Sequence, residues 1–132
     1  MRHFTMILFA VVAYCGNSQT VIHTDSIPDN KIGSTVVKNL FNDSLISSFC
    51  IVIPKEVKAH KHQHHCEHVL VLEGEGLMKL GEKEFYIRKG DLVFIPQNSV
   101  HSVTSTGDRA LKVLSFQAPF FDGSDRLYVP EK

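Results

Sequence analysis

Residues 59–76 read "AHKHQHHCEHVLVLEGEG", and this stretch governs the reading of the rest. Five of the chain's eight histidines lie between His60 and His68, with Glu67 among them. An apolar core is harmed by so many imidazoles and a solvated face needs none, so the crowding points to a site that uses them. On extended backbone His60, His62 and His64 share one parity and point to one face, whereas Glu67 has the opposite parity. For Glu67 to join His60 and His62, residues 63–66 must contain a bulge or a tight kink, a device common beside active sites. Past it, Val69 and Val71 share the face of Glu67 and line the interior, while His68, Leu70 and Leu72 face away.

Outward from this stretch the chain is a series of short apolar or alternating runs. They cover 35–41, 45–53, 68–73, 77–80, 84–88, 92–95, 101–105, 111–116 and 126–129. Turn signals separate them: EGEG at 73–76, GEK at 81–83, KGD at 89–91, PQNS at 96–99, TGD at 106–108 and FDGSD at 121–125. Many short strands at regular spacing, with no sustained helical period, predict an all-β antiparallel sandwich or barrel. The run at 35–41 reads equally well as a short helix. In "GDLVFIPQNSVHSV", residues 90–103, a strand and a turn deliver His101 to the start of the next strand. A lone histidine there is ordinarily a surface or capping group. Beside a histidine-rich strand it becomes a candidate closing ligand.

Composition narrows the function. The chain has 132 residues, 43% hydrophobic and 21% charged, enough for one domain with a modest core. Its 14 basic and 14 acidic residues are mixed without a basic stripe, which argues against nucleic acid as a partner. The start, "MRHFTMILFAVVAYCGNSQT", places one arginine before an apolar run at 4–13 and ends among small polar residues. That is the layout of a secretory signal peptide, too short to span a bilayer, with a first core strand as the alternative. The expected organisation is a leader at 1–18 (cleavage within 13–20), a linker or N-terminal segment at 19–33 and a β-barrel domain at 34–132. The expected location is exported, periplasmic or secreted. Cys15 offers a second possibility, a lipoprotein anchor, although Tyr14 stands where a small residue usually precedes a lipidated cysteine. Cys50 and Cys66 can pair in an oxidising compartment only if the fold brings them within bridging distance.

The chain resembles the cupins. Their first motif, G-x5-H-x-H-x3–4-E-x6-G, is matched by His60, His62, Glu67 and Gly74, and their second, G-x5-P-x-G-x2-H-x3-N, by Gly90, Pro96 and His101. Pro54, Asn98 and Ser105 depart from the pattern at the first glycine, the middle glycine of the second motif and the final asparagine. Asn98 is the mildest change, because asparagine tolerates left-handed backbone. The resemblance covers residues 36–121 and implies a double-stranded β-helix, or jelly-roll, barrel. It also implies a metal held at the barrel mouth by His60, His62, Glu67 and His101. Three neutral imidazoles and a carboxylate suit divalent iron, manganese, nickel, copper or zinc and disfavour calcium. Four protein ligands around a six-coordinate ion leave two positions for water, dioxygen or a chelating substrate. His64, His65 and His68 fall outside this register and are read as rim or supporting residues.

Two functions follow from the resemblance. One is a metal-dependent enzyme, a dioxygenase of the quercetinase-like kind (isomerases also occur among cupins), with Glu67 as ligand and proton acceptor. The other is a non-catalytic module that binds a small ligand such as a sugar. Val69, Val71 and Val103 are expected to line an apolar pocket, with Met78, Phe85, Phe94 and Phe116 as further wall candidates, a lining that favours a small aromatic or enolic substrate. A homodimer through an outer sheet face or an exchanged N-terminal strand is the expected assembly.

Overall fold

A computed structural model describes residues 20–28 and 33–130; the leader expected at 1–18 lies outside the described residues. The strands are β1 (Val36–Asn42), β2 (Ser47–Ile53), β3 (Glu56–Lys61), β4 (Cys66–Glu73), β5 (Glu75–Leu80), β6 (Lys83–Arg88), β7 (Leu92–Ile95), β8 (His101–Ser105), β9 (Leu111–Ala118) and β10 (Leu127–Tyr128). The run at 35–41 is thus the strand β1 and not a helix. Among the described residues no helix is long and apolar enough to cross a membrane.

The strands form two antiparallel five-stranded sheets, ordered β1-β2-β9-β4-β7 and β10-β3-β8-β5-β6. Alternation explains most of them. In β7 Val93 and Ile95 are buried while Leu92 and Phe94 are exposed, as one core-facing side requires. β2 is buried along its whole length, so both of its faces are covered. Its inner face gives Phe49, Ile51 and Ile53 to the main core, with Val71, Met78, Ile87, Leu111 and Val113. Its outer face places Cys50 and Val52 under Ile27. Ile27 follows a 3-10 turn at Thr24–Ser26, and its carbonyl accepts a 2.8 Å hydrogen bond from the buried Lys112 ammonium. Part of the segment read as a linker is therefore docked on the barrel.

Two turns bear directly on the site. Gly74 lets the chain pass from β4 in one sheet to β5 in the other; its φ is +75°, and a Cβ there would lie 2.5 Å from the Ala110 carbonyl oxygen. Asn98, standing where the family motif has glycine, adopts φ 64°. Its amide donates to the His62 carbonyl at 2.7 Å, fixing the turn before β8 against the end of β3. Cys50 and Cys66 are both free thiols. They sit on β2 and β4 with β9 between them, where pairing with Leu114 and Ala118 respectively keeps them beyond bridging distance.

Candidate metal centre

The site spans the two sheets. His60 lies in β3 directly opposite His101 at the start of β8, and His62 follows β3 by one residue. The chain then leaves that sheet and enters the other at Cys66, which puts Glu67 on β4 opposite Gln117 of β9. The parity break expected at 63–66 is thus a crossing between sheets rather than a bulge within one strand. Inward-facing residues of two opposed sheets meet in the middle, so opposite parity is what the site requires.

All four residues are buried: His60 and His62 are 2% exposed, Glu67 and His101 5%. The imidazoles pack closely, with centroids 4.2 Å apart for His60 and His101, 5.1 Å for His60 and His62 and 5.4 Å for His62 and His101. Each Nδ1 faces a backbone carbonyl: Lys58 for His60 at 2.8 Å, Asp125 for His62 at 2.6 Å and Ser99 for His101 at 2.9 Å. A carbonyl only accepts, so each Nδ1 carries the proton and each Nε2 presents a lone pair. The three Nε2 atoms are buried and have no hydrogen-bond partner. One ligand atom from each of these histidines lies within 4.8 Å of the others. Backbone carbonyls that fix the tautomer are the support metal-binding histidines ordinarily have, so this donor set fits a divalent transition ion.

Glu67 faces the same point. Its Oε2 is 3.6 Å from His62 Nε2 and 3.4 Å from His101 Nε2. Its Oε1 accepts from the Ser115 hydroxyl at 2.5 Å and from Gln117 Nε2 at 3.5 Å. The Glu67 carboxyl lies below the usual carboxylate range: burial raises its pKa, whereas a proton carried by the facing His101 or His62, and the Ser115 hydroxyl that donates to Oε1, lower it. His60 is lowered to about 4, chiefly by burial and then by the neighbouring His101, against the opposing hydrogen bond to Lys58. A histidine that stays neutral and a glutamate that stays ionised are the forms a metal requires.

The other histidines of the cluster are used differently. His65 Nδ1 meets Asp125 Oδ2 at 2.6 Å and its Nε2 meets the Phe120 carbonyl at 2.9 Å, so both nitrogens are engaged. His64 and His68 are exposed, and His68 packs on Phe94 with centroids 4.9 Å apart. Sequence reasoning missed Asp125, whose carboxylate also accepts the backbone amides of Gln63 and His64 at 2.9 and 2.8 Å. It missed Phe121, which packs edge-on against His62, and the Ser115–Gln117 pair behind Glu67. The one available signal was the FDGSD turn ahead of β10, which marks a loop but not what it touches.

Beside the histidines lies a cavity of ≈ 60 Å³, walled by Ile51, Val57, Val69, Met78, Val103 and Val113. Val69 and Val103 thus stand where parity put them, and Met78, a further wall candidate, lines the cavity as well. Val71 and Phe85 belong to the same core cluster as these walls but do not line the cavity. Phe94 and Phe116 pair with the outward-facing His68, on the far side of the sheet from the cavity.

Comparison with known proteins agrees with this fold. The model of a family described as the cupin domain matches residues 49–116. An uncharacterized protein of Methanocaldococcus jannaschii is 36% identical over 66 residues, covering 50% of this chain and 53% of that protein. A mannose-1-phosphate guanylyltransferase of Salmonella typhimurium is 31% identical over 78 residues, 58% of this chain but 16% of the transferase. The chain thus spans about half the length of the first relative and far less of the second. Among solved structures, a protein with a double-stranded beta-helix domain from Klebsiella pneumoniae aligns with a TM-score of 0.74 at 16% identity, covering 86% of this chain and 100% of that one.

Proposed function

The chain belongs to the cupin domain family, and we propose that it carries a divalent transition metal on His60, His62, Glu67 and His101 and acts as a metal-dependent dioxygenase, of the quercetinase-like kind, on a small organic substrate. The observation that carries the metal is the set of three buried Nε2 atoms without partners. Leaving a buried acceptor unsatisfied costs about 1–3 kcal/mol, and one shared cation removes that cost at all three. An iron, manganese, nickel, copper or zinc ion supplies Lewis acidity and open coordination positions there.

The chain's own residues supply the rest. The carbonyls of Lys58, Ser99 and Asp125 hold the imidazoles in the binding tautomer, and the apolar walls keep bulk water from the reacting atoms. Ser115 and Gln117 hold Oε1 of Glu67 so that Oε2 faces the histidines. While it stays there Glu67 is a weak base. If Oε2 swings away from the histidines, burial raises its pKa and it becomes the proton acceptor of the site.

A second reading, a non-catalytic module binding a small ligand, is favoured by the size of the cavity, ≈ 60 Å³, which encloses only a few atoms. Metal analysis of protein purified without a histidine tag, followed by oxygen-uptake screening with small enolic and aromatic compounds, separates the two. About one metal per chain with substrate-dependent uptake supports the enzyme; metal and ligand binding without uptake supports the module.

Export and dimerisation belong to the same proposal. The order of charge and apolar residues at 1–18 supports a cleaved leader, and mass spectrometry of exported protein tests it: an intact Met1 or a lipid mass on Cys15 contradicts it. Exposed Leu92 and Phe94, 64% and 51% accessible on the outer face of β7, support a dimer through that face. A monomer in sedimentation at micromolar concentration contradicts it.

A further inference from the structure

A guanidinium shares the metal cavity. Arg126 directly follows Asp125, whose carbonyl holds His62, so the segment that orients one histidine also sets the arginine. Arg126 lines the cavity with His60, Glu67 and His101, and it also lines two surface hollows. It therefore stands between the centre and the solvent. Its Nε is buried without a hydrogen-bond partner, and among the described residues no carboxylate forms an ion pair with it. Asp125 is committed to His65 and the amides of Gln63 and His64, Glu67 to Ser115 and Gln117, and Asp122, which lines one of the hollows with Arg126, to Ser124; Glu56 lines the other hollow without an ion pair to it.

An arginine left unpaired beside an apolar cavity suits an anion that arrives with the ligand. Its planar fork of donors matches a carboxylate in two parallel hydrogen bonds. The charge balance points the same way. With neutral histidines, an ionised Glu67, a divalent ion and Arg126 leave the site with an excess of two positive charges, which a neutral sugar cannot offset. We propose that the ligand of this centre is a small organic acid, its carboxylate held by Arg126 and a neighbouring oxo, hydroxyl or enol oxygen directed to the open positions beside the three histidines. The inference rests on the metal reading above and names the substrate class of that site.

The test uses zinc-loaded full chain, with pyruvate as probe, its methyl ester as the neutral control and calorimetry as the readout. Zinc per chain is measured alongside. The wild type is expected to prefer pyruvate over the ester by at least about tenfold, as a charge-assisted bidentate contact implies. Arg126→Gln should lose that preference with zinc content and thermal midpoint unchanged, and Arg126→Lys should recover part of it. If Arg126→Gln folds poorly, Arg126→Lys decides alone, since a point charge without the fork should weaken pyruvate binding and leave the ester unaffected. A wild type that binds both probes alike or binds neither, or an Arg126→Gln variant that keeps the preference, overturns the proposal. If the wild type takes up no zinc, the metal reading has failed. The acid-over-ester comparison on the metal-free protein then decides Arg126 on its own.

Discussion

His62 and His64 are two residues apart and share a parity, yet they differ in every property that matters for a ligand. His62 is buried, its Nδ1 is tied to the Asp125 carbonyl, and its Nε2 has no partner. His64 is exposed in the crossing between the sheets. The same contrast separates His60 and His101 from His65 and His68. His65 spends both nitrogens on Asp125 and Phe120, and His68 lies on the outer face against Phe94. What distinguishes a ligand is therefore not the imidazole but the free lone pair. Burial removes water as a competitor, and a carbonyl on the far nitrogen aims the near one.

Replacement of histidines one at a time gives the largest expected effect. His60→Ala, His62→Ala or His101→Ala should each lower metal affinity by about a hundredfold or more, because water replaces a lost imidazole poorly. His64→Ala and His68→Ala should change it by less than about twofold. Equilibrium dialysis with metal analysis reads both, and equal losses in the two groups would erase the contrast.

Acid provides the next test. His60 titrates near 4 in the fold against 6.5 for a free histidine, so between those values the unfolded chain binds more protons. The contribution is fully present above pH 6.5 and is lost as the pH falls towards 4, by about 3 kcal/mol for a shift of this size. Urea unfolding of chelated protein across that window should show the decline, and its absence in His60→Ala would assign it to this residue.

Asp125 sharpens the comparison from the other side, since it organises both kinds of histidine. Asp125→Ala leaves the amides of Gln63 and His64 without their acceptor and should cost about 2 kcal/mol of stability, with metal affinity falling about tenfold as the loop carrying His62 loosens. Ser115→Ala removes one of two partners of Glu67 Oε1 and should cost about 1 kcal/mol, measured by denaturant unfolding.

Much of this was legible in the sequence. β7 and β8 begin and end where alternation and the PQNS turn put them, because each carries one apolar face between strong turn residues. The spacing marked His60, His62 and His101, which the fold gathers into one group, and Glu67, whose Oε2 lies 3.6 and 3.4 Å from His62 and His101. β3 was not among the apolar runs, because Glu56, Lys58 and Lys61 hide its inward residues in a charged string. The break at 63–66 was visible as a parity conflict, but a crossing between sheets and a bulge write the same pattern in one strand. Ser115, Gln117 and Arg126 carried no signal of a role at the site, and Asp125 only the FDGSD turn that contains it. Each matters through what it lies against in a distant part of the chain, and a single chain read in order contains no trace of that proximity. The outward turn of Phe94 and Phe116 was hidden for the same reason, since an aromatic residue at a strand position fits a pocket wall or an exposed face equally well.

The claim that carries the account is that three rings, and only these among the cluster from His60 to His68 together with His101, present an unprotonated, partnerless Nε2 to one point. Nitrogen-15 NMR of the imidazoles, recorded on chelated protein and again after one equivalent of zinc, observes this atom by atom. Before zinc, His60, His62 and His101 should show protonated Nδ1 and unprotonated Nε2. After zinc, the Nε2 resonances of those three should move together while His64 and His68 stay in place. Protonated Nε2 in the three rings before zinc, or a zinc-induced shift at His64 with none at His60, would contradict it.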